Sequence, residues 1–175
     1  MTKRNISLWQ FVGFSLVSLF GTLLHFLYDF SGEKWWAALF SGVNESTWEH
    51  MKLLFFPLFF FAVFEYFFFR DQKDFWCIKL RGTLLGLTLI PVVFYTYRGL
   101  LGKNVDWFNI LIFFLSAAAV FLYETRAFKK EKDKPCPARL SFILLCVIMV
   151  LFFIFTFRTP EIGLFLDPIT GTYGI

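Results

Sequence analysis

The chain has 175 residues, of which 58% are hydrophobic and 23% aromatic, with 28 phenylalanines. A soluble domain of that length has too little interior to hide so much apolar side chain, whereas a bilayer accepts it. The formal charge of +4 would suit a nucleic-acid partner, but the basic residues fall between apolar segments and form no stripe on a polar face, which excludes that class.

A helix needs roughly 20 mostly apolar residues to cross about 30 Å of hydrocarbon. The first segment of that kind runs from about Leu8 to Phe30. Lys3 and Arg4 precede it as they would a signal peptide, but the run is too long and ends in HFLYDF with no small-residue cleavage site, so it reads as an uncleaved span. Near its end His25 and Asp29 stand four residues apart, on one helix face.

A polar stretch, VNESTWEHMK (Val43 to Lys52), leads into the second span, about Met51 to Phe69. Within it STWE has the form of a capping box, with Ser46 as N-cap and Glu49 reaching back. NES also matches a glycosylation sequon, a weak signal at that length. The third span is about Leu80 to Tyr97, the fourth about Val105 to Tyr123 and the fifth about Leu140 to Phe157. Pro57 and Pro91 are expected to kink spans two and three. A basic connection with Pro135 and Pro137 separates spans four and five. The tail, 158–175, is too apolar for a disordered terminus, and its DPITG reads as a turn. It is expected to fold back over the helix ends and cover the polar stretch. The result is one all-α domain over 1–175, a polytopic bundle of five transmembrane helices in a cell membrane.

Lysine and arginine placement orients the bundle. With the N-terminus inside, 12 basic residues (Lys3, Arg4, Arg70, Lys73, Lys79, Arg81, Arg126, Lys129, Lys130, Lys132, Lys134, Arg139) lie on the inner side. Five (Lys34, Lys52, Arg98, Lys103, Arg158) lie outside, so the C-terminus is expected outside too. Cys77 and Cys136 then face a reducing compartment, and the odd count of three cysteines argues against a structural disulfide. Small residues suit helix contacts in lipid: Gly82 and Gly86 in span three, Ser116 to Ala119 in span four, and Ser15, Ser18 and Gly21 in span one are expected to meet. Phe-rich spans two, four and five are expected to face lipid. Glu65 and Glu124 are expected to pair with Arg70 and Arg126 at the inner interface, and Trp35, Trp36, Trp48 and Trp107 to form an outer aromatic belt.

Ionisable groups within spans face the bundle interior or a wet cavity, because exposure to hydrocarbon is costly. His25, Asp29, Glu45, Glu49, His50, Lys52, Arg98 and Asp167 all fall on the expected outer side and make a candidate ligand or ion pocket. His25, Asp29, Glu49 and His50 have the chemistry to hold a divalent metal, with Glu45 as a base. The plainer reading leaves His25 and Asp29 as a hydrogen-bonded pair. WEH lacks the H-E-x-x-H spacing that sets two imidazoles on one face.

The stretches LLHFLYDFSG, VNESTWEHMKLLFFP and LFLDPITGTYGI resemble an uncharacterised family of small bacterial multi-spanning membrane proteins, a domain of unknown function, with NES-x-WEH-x-K as the most specific element. The resemblance implies a topology and no activity. Two kinds of function follow from the residues: a module that binds or transports a small ligand or cation, or a membrane-embedded hydrolase or transferase acting on a lipid head group. A scaffold or assembly factor is the third. No catalytic residue is assigned.

Overall fold

A computed structural model of the chain describes residues 3–130 and 136–175. Among the described residues all regular structure is helical: α1 (Lys3–Phe30), α2 (Trp35–Ala38), α3 (Thr47–Tyr66), α4 (Phe75–Leu101), α5 (Asp106–Lys129), α6 (Ala138–Phe157) and a 3-10 turn, Gly163–Phe165, in the tail. All but α2 and the 3-10 turn are long and apolar enough to cross a membrane. The short α2 has no counterpart in the sequence expectation. Lys132, Lys134 and Pro135 of the basic connection lie outside the described residues.

Local chemistry sets the ends. Ser46 caps α3 by accepting the Glu49 N–H. Gly102 closes α4 in the left-handed conformation and returns its N–H to the Arg98 carbonyl. Pro57 and Pro91 lie inside continuous helices.

The expectation for span two is overturned. Its helix, α3, is the most buried of the five, packed between α1, α4 and α6, and leaves a strip with Phe60, Val63 and Phe64 exposed. Leu54, Phe55 and Phe56 are completely enclosed. Burying a phenylalanine from lipid gains little hydrophobic energy, since the tails are as apolar as the ring. The reason for the central placement is polar. This helix carries Glu49, Lys52 and Glu65, which must be shielded from hydrocarbon. The helix α6 has no charge beyond its first turn, and it takes the periphery.

Close approach depends on glycine at the α4–α5 contact, where a Cβ on Gly86 would lie 2.6 Å from Val120 Cγ2 and 2.9 Å from Leu54 Cδ2. Likewise α1 meets α5 where Gly21 faces Phe113. The expected contact of span one with span three is replaced by one with α3. Trp48 leaves the expected belt and packs among Phe152, Phe155 and Phe165, whereas Trp35 and Trp107 are exposed.

Cysteine usage also departs from expectation. Cys77, at the start of α4, is joined to Cys136, just ahead of α6, with the two Cα atoms 6.4 Å apart. The packing of α4 on α6 brings two residues 59 apart in sequence together, which an odd cysteine count does not reveal. Cys146 is free.

The glycine contact is testable. Gly86→Leu should overpack the α4–α5 contact and cost about 1–3 kcal/mol. Gly99→Ala, on the same helix with nothing within 4 Å, should be neutral or stabilising by up to about 1 kcal/mol. Thermal melts in one detergent compare them; equal melting points would contradict the packing.

Candidate functional site

The polar stretch ahead of α3 is built in two tiers. The lower tier is dry. Lys52 and Glu49 are almost wholly enclosed and form an ion pair at 2.5 Å. The Lys52 ammonium also donates to the Ala38 carbonyl at 2.8 Å and to Thr156 Oγ1 at 3.0 Å. All three of its protons therefore have acceptors, from α3, α2 and α6. Glu49 accepts the Val43 N–H at 3.1 Å. The capping box is thus only half made: Ser46 caps Glu49 N, but the Glu49 carboxylate turns to Lys52 instead of back to Ser46. Asn44 Oδ1 takes the Ser46 N–H instead, at 2.9 Å. Ser41 Oγ accepts the Tyr28 N–H at 2.9 Å and donates to the Leu24 carbonyl, which holds the α1–α3 connection so that Ala38 faces Lys52.

The upper tier is wet. The Glu45 carboxylate, 39% exposed, lies between two imidazoles. One oxygen is 3.5 Å from His25 Nε2 and the other 3.5 Å from His50 Nε2. On the far side of the His50 ring, Nδ1 is 2.9 Å from the Ser46 carbonyl. A carbonyl only accepts, so Nδ1 carries a proton there. In a neutral ring Nε2 then offers a lone pair toward a carboxylate oxygen. Two acceptors then face each other, whereas a second proton on the ring, at Nε2, makes the contact an ion pair.

Two spaces adjoin this tier. A cavity of about 20 Å³, roughly one water in size, is lined by Glu45, Thr47, His50 and Asn109 with apolar residues around them. A cleft of about 200 Å³ runs between α1 and α5, largely apolar, past His25, His50 and Asn109. Asn109 belongs to a small network with Asn104 and the Tyr97 hydroxyl. Sequence reasoning passed over it; the signal was an amide at the head of an otherwise apolar run, NILIFFL.

The tail pins this end of the bundle. Phe165 is buried against Trp48 and Phe155. The Asp167 carboxylate closes the DPITG turn by accepting from Ile169 N at 2.7 Å, and its other oxygen accepts from Glu45 N at 3.4 Å. Asn44 donates to the Gly174 carbonyl, and Tyr95 to that of Gly163. Asn44 is thereby occupied as a strut. The tail holds the Glu45 backbone without roofing its carboxylate, and Ile169 and Ile175 remain exposed.

Of the residues singled out in the sequence, His25, Glu45, His50 and Asp167 come together, and Glu49 and Lys52 form the pedestal below them. Asp29 is exposed and away from the cluster. Arg98 stacks over Phe94. The four-residue metal set does not assemble, because Glu49 is committed to Lys52 and Asp29 points elsewhere; among the described residues no three His, Cys, Asp or Glu side chains are placed to hold a metal ion.

The opposite end of the bundle holds a second polar cluster, and here the expectation is corrected. Glu65 and Glu124 are fully buried and both contact Lys79, leaving Arg70 and Arg126 exposed. A sequence signal was available for Glu65, which has apolar neighbours on both sides, well short of Arg70; Glu124, followed by Thr125 and Arg126, carried none.

Removing one partner of a buried pair strands the other. Lys52→Met should cost about 3–5 kcal/mol, and the double change Glu49→Gln with Lys52→Met should recover part of it. Melting of the purified variants decides this; a single variant as stable as the parent would show that the pair is not enclosed as described.

No curated protein and no solved structure matches the chain. A family model does, described as a family of unknown function and matched over residues 1–175. The all-helical fold, the five apolar helices and a match across the full length lead to one conclusion: the chain belongs to DUF6512, a family of unknown function.

Proposed function

We infer that this is a multi-pass cell-membrane protein that binds, and on that basis transports or senses, a small cation at Glu45. The observation that carries the reading is the face-to-face placement of acceptors, His50 Nε2 at 3.5 Å from a Glu45 oxygen with His50 Nδ1 engaged by the Ser46 carbonyl. A cation of about the size of a water fits the adjoining cavity, and the Asp167 carboxylate on the Glu45 backbone adds a second negative charge close by.

A second reading follows from the lateral cleft. Its apolar walls suit an acyl or isoprenoid chain, which would bring a positively charged lipid head group to the same carboxylate. A hydrolase or transferase working on such a lipid would use the same approach.

The first test is ligand-linked stability in nanodiscs. Sodium, potassium, ammonium, magnesium and zinc chlorides are compared at equal ionic strength. One cation should raise the melting point of the parent and leave Glu45→Gln unmoved; saturation to 100 times Kd stabilises by about 2.7 kcal/mol. No shift with any salt, or an equal shift in Glu45→Gln, removes the cation reading. Lipid retained by the parent through purification and lost in Glu45→Gln would favour the second reading instead.

The orientation belongs to this proposal. The basic asymmetry places the N-terminus inside and the C-terminus, with the Glu45 site, outside. Reporter fusions after Lys134 should behave as cytoplasmic and fusions after Ile175 as exported. The same side for both would sink this topology. The Cys77–Cys136 disulfide counts against this orientation, which puts the pair on the inner side, where a reducing compartment would hold it as thiols; its redox state is thus an independent gauge of sidedness.

A further inference from the structure

The cluster at the far end is separated from the Glu45 site by an apolar layer that includes Leu54, Leu58, Ile90, Ala117 and Val120. Four helices build it. From α1 come Trp9 and Gln10, from α3 Glu65, from α4 Lys79 and from α5 Glu124. Gln10 Nε2 donates to Glu65 Oε1 at 2.5 Å. The Lys79 ammonium contacts Glu65 Oε2 and lies 2.5 Å from Glu124 Oε2. The rings of Phe61, Phe75, Phe121 and Phe128 surround that ammonium at 5.6 to 5.8 Å.

Charge counting exposes an imbalance. Among the described residues, two carboxylates and one ammonium leave a net charge of −1, with all three residues at most 2% exposed. An uncompensated charge in a low-dielectric interior is expensive, and such groups neutralise in place of remaining ionised. The nearest basic residues in sequence do not help: Arg70 sits over the Phe67 ring, and Arg81 and Arg126 are exposed. A second observation points the same way. Glu124 Oε1 and Gln10 Oε1 are buried oxygens with no hydrogen-bond partner among the described residues, each on a side chain 1% exposed. Lys79 engages the other Glu124 oxygen, Oε2, which leaves Oε1 free to take a ligand.

We propose that Glu65, Lys79 and Glu124 form a proton-binding site, in which the two carboxyl groups share one proton while Lys79 remains an ammonium. The ligand is a proton taken from water, which forms an O–H bond on a carboxylate oxygen and brings the cluster to zero net charge. The site is independent of the cation reading at Glu45.

A shared proton has a signature that a simple ion-pair network lacks. Removing either carboxylate leaves one carboxylate and one ammonium, already neutral, so either single change should release the proton. Infrared spectra of the protein in nanodiscs at neutral pH should show a protonated-carboxyl C=O stretch that shifts in D2O. Glu124→Gln and Glu65→Gln should each lose it, and Glu161→Gln, at an exposed position, should keep it. Each single variant should fold with nearly the parent melting point, because glutamine is the neutral isostere of a protonated glutamate. The double variant, with Lys79 unpaired, should melt far lower. No such band in the parent, a band that survives either single substitution, or a single variant that fails to fold would overturn the proposal.

Discussion

A buried ammonium with all its protons engaged is the constraint from which the tail end of the bundle follows. Lys52 lies inside a helix long and apolar enough to cross a membrane, a setting in which an unpaired charge is costly. Its acceptors are a carboxylate one turn back on the same helix, a backbone carbonyl from α2 and a hydroxyl from α6. Meeting those three demands fixes the α1–α3 connection, brings the end of α6 against α3 and turns Glu49 inward. In lipid there is little hydrophobic gain to order helices, so polar satisfaction and close packing take over that role. The placement of the least apolar span at the centre and the most apolar at the edge is the same rule on a larger scale.

With Glu49 absorbed into the pedestal, Glu45 becomes the carboxylate that meets solvent. It is held from three directions: His25 on α1, His50 on α3 and the tail through Asp167 on its backbone. A turn-forming tail serves this arrangement by immobilising the loop that carries Glu45.

The two polar clusters differ in kind. The one near the tail is partly open and rests on an electroneutral pair. The one at the far end is closed, ringed by aromatic side chains, and sets two carboxyl groups against one ammonium. Between them the core is apolar and tightly packed, with Gly86 admitting Val120 and Leu54 at van der Waals contact.

Much was determined by sequence alone. Apolar run lengths specify five long apolar helices and Ser46 specifies the start of α3; the polar residues His25, Asp29, Glu45, Glu49 and His50 are marked as a group, of which His25, Glu45 and His50 meet. These are local or compositional properties, and a bilayer converts them directly into structure. Which charge pairs with which was decided only in three dimensions. Glu65 and Glu124 stand nearer in sequence to Arg70 and Arg126 than to Lys79, and Glu49 sits at the position of a capping-box glutamate. Sequence proximity argues for those assignments. Burial overrules them, because a carboxylate inside a span is stabilised by the cation enclosed with it, and enclosure depends on how four helices are arranged in space. Cys77 and Cys136, Asn109 with Tyr97, and the tail with Asn44 are contacts of the same type. Each joins segments whose adjacency is a property of the packed bundle, and no local pattern encodes it.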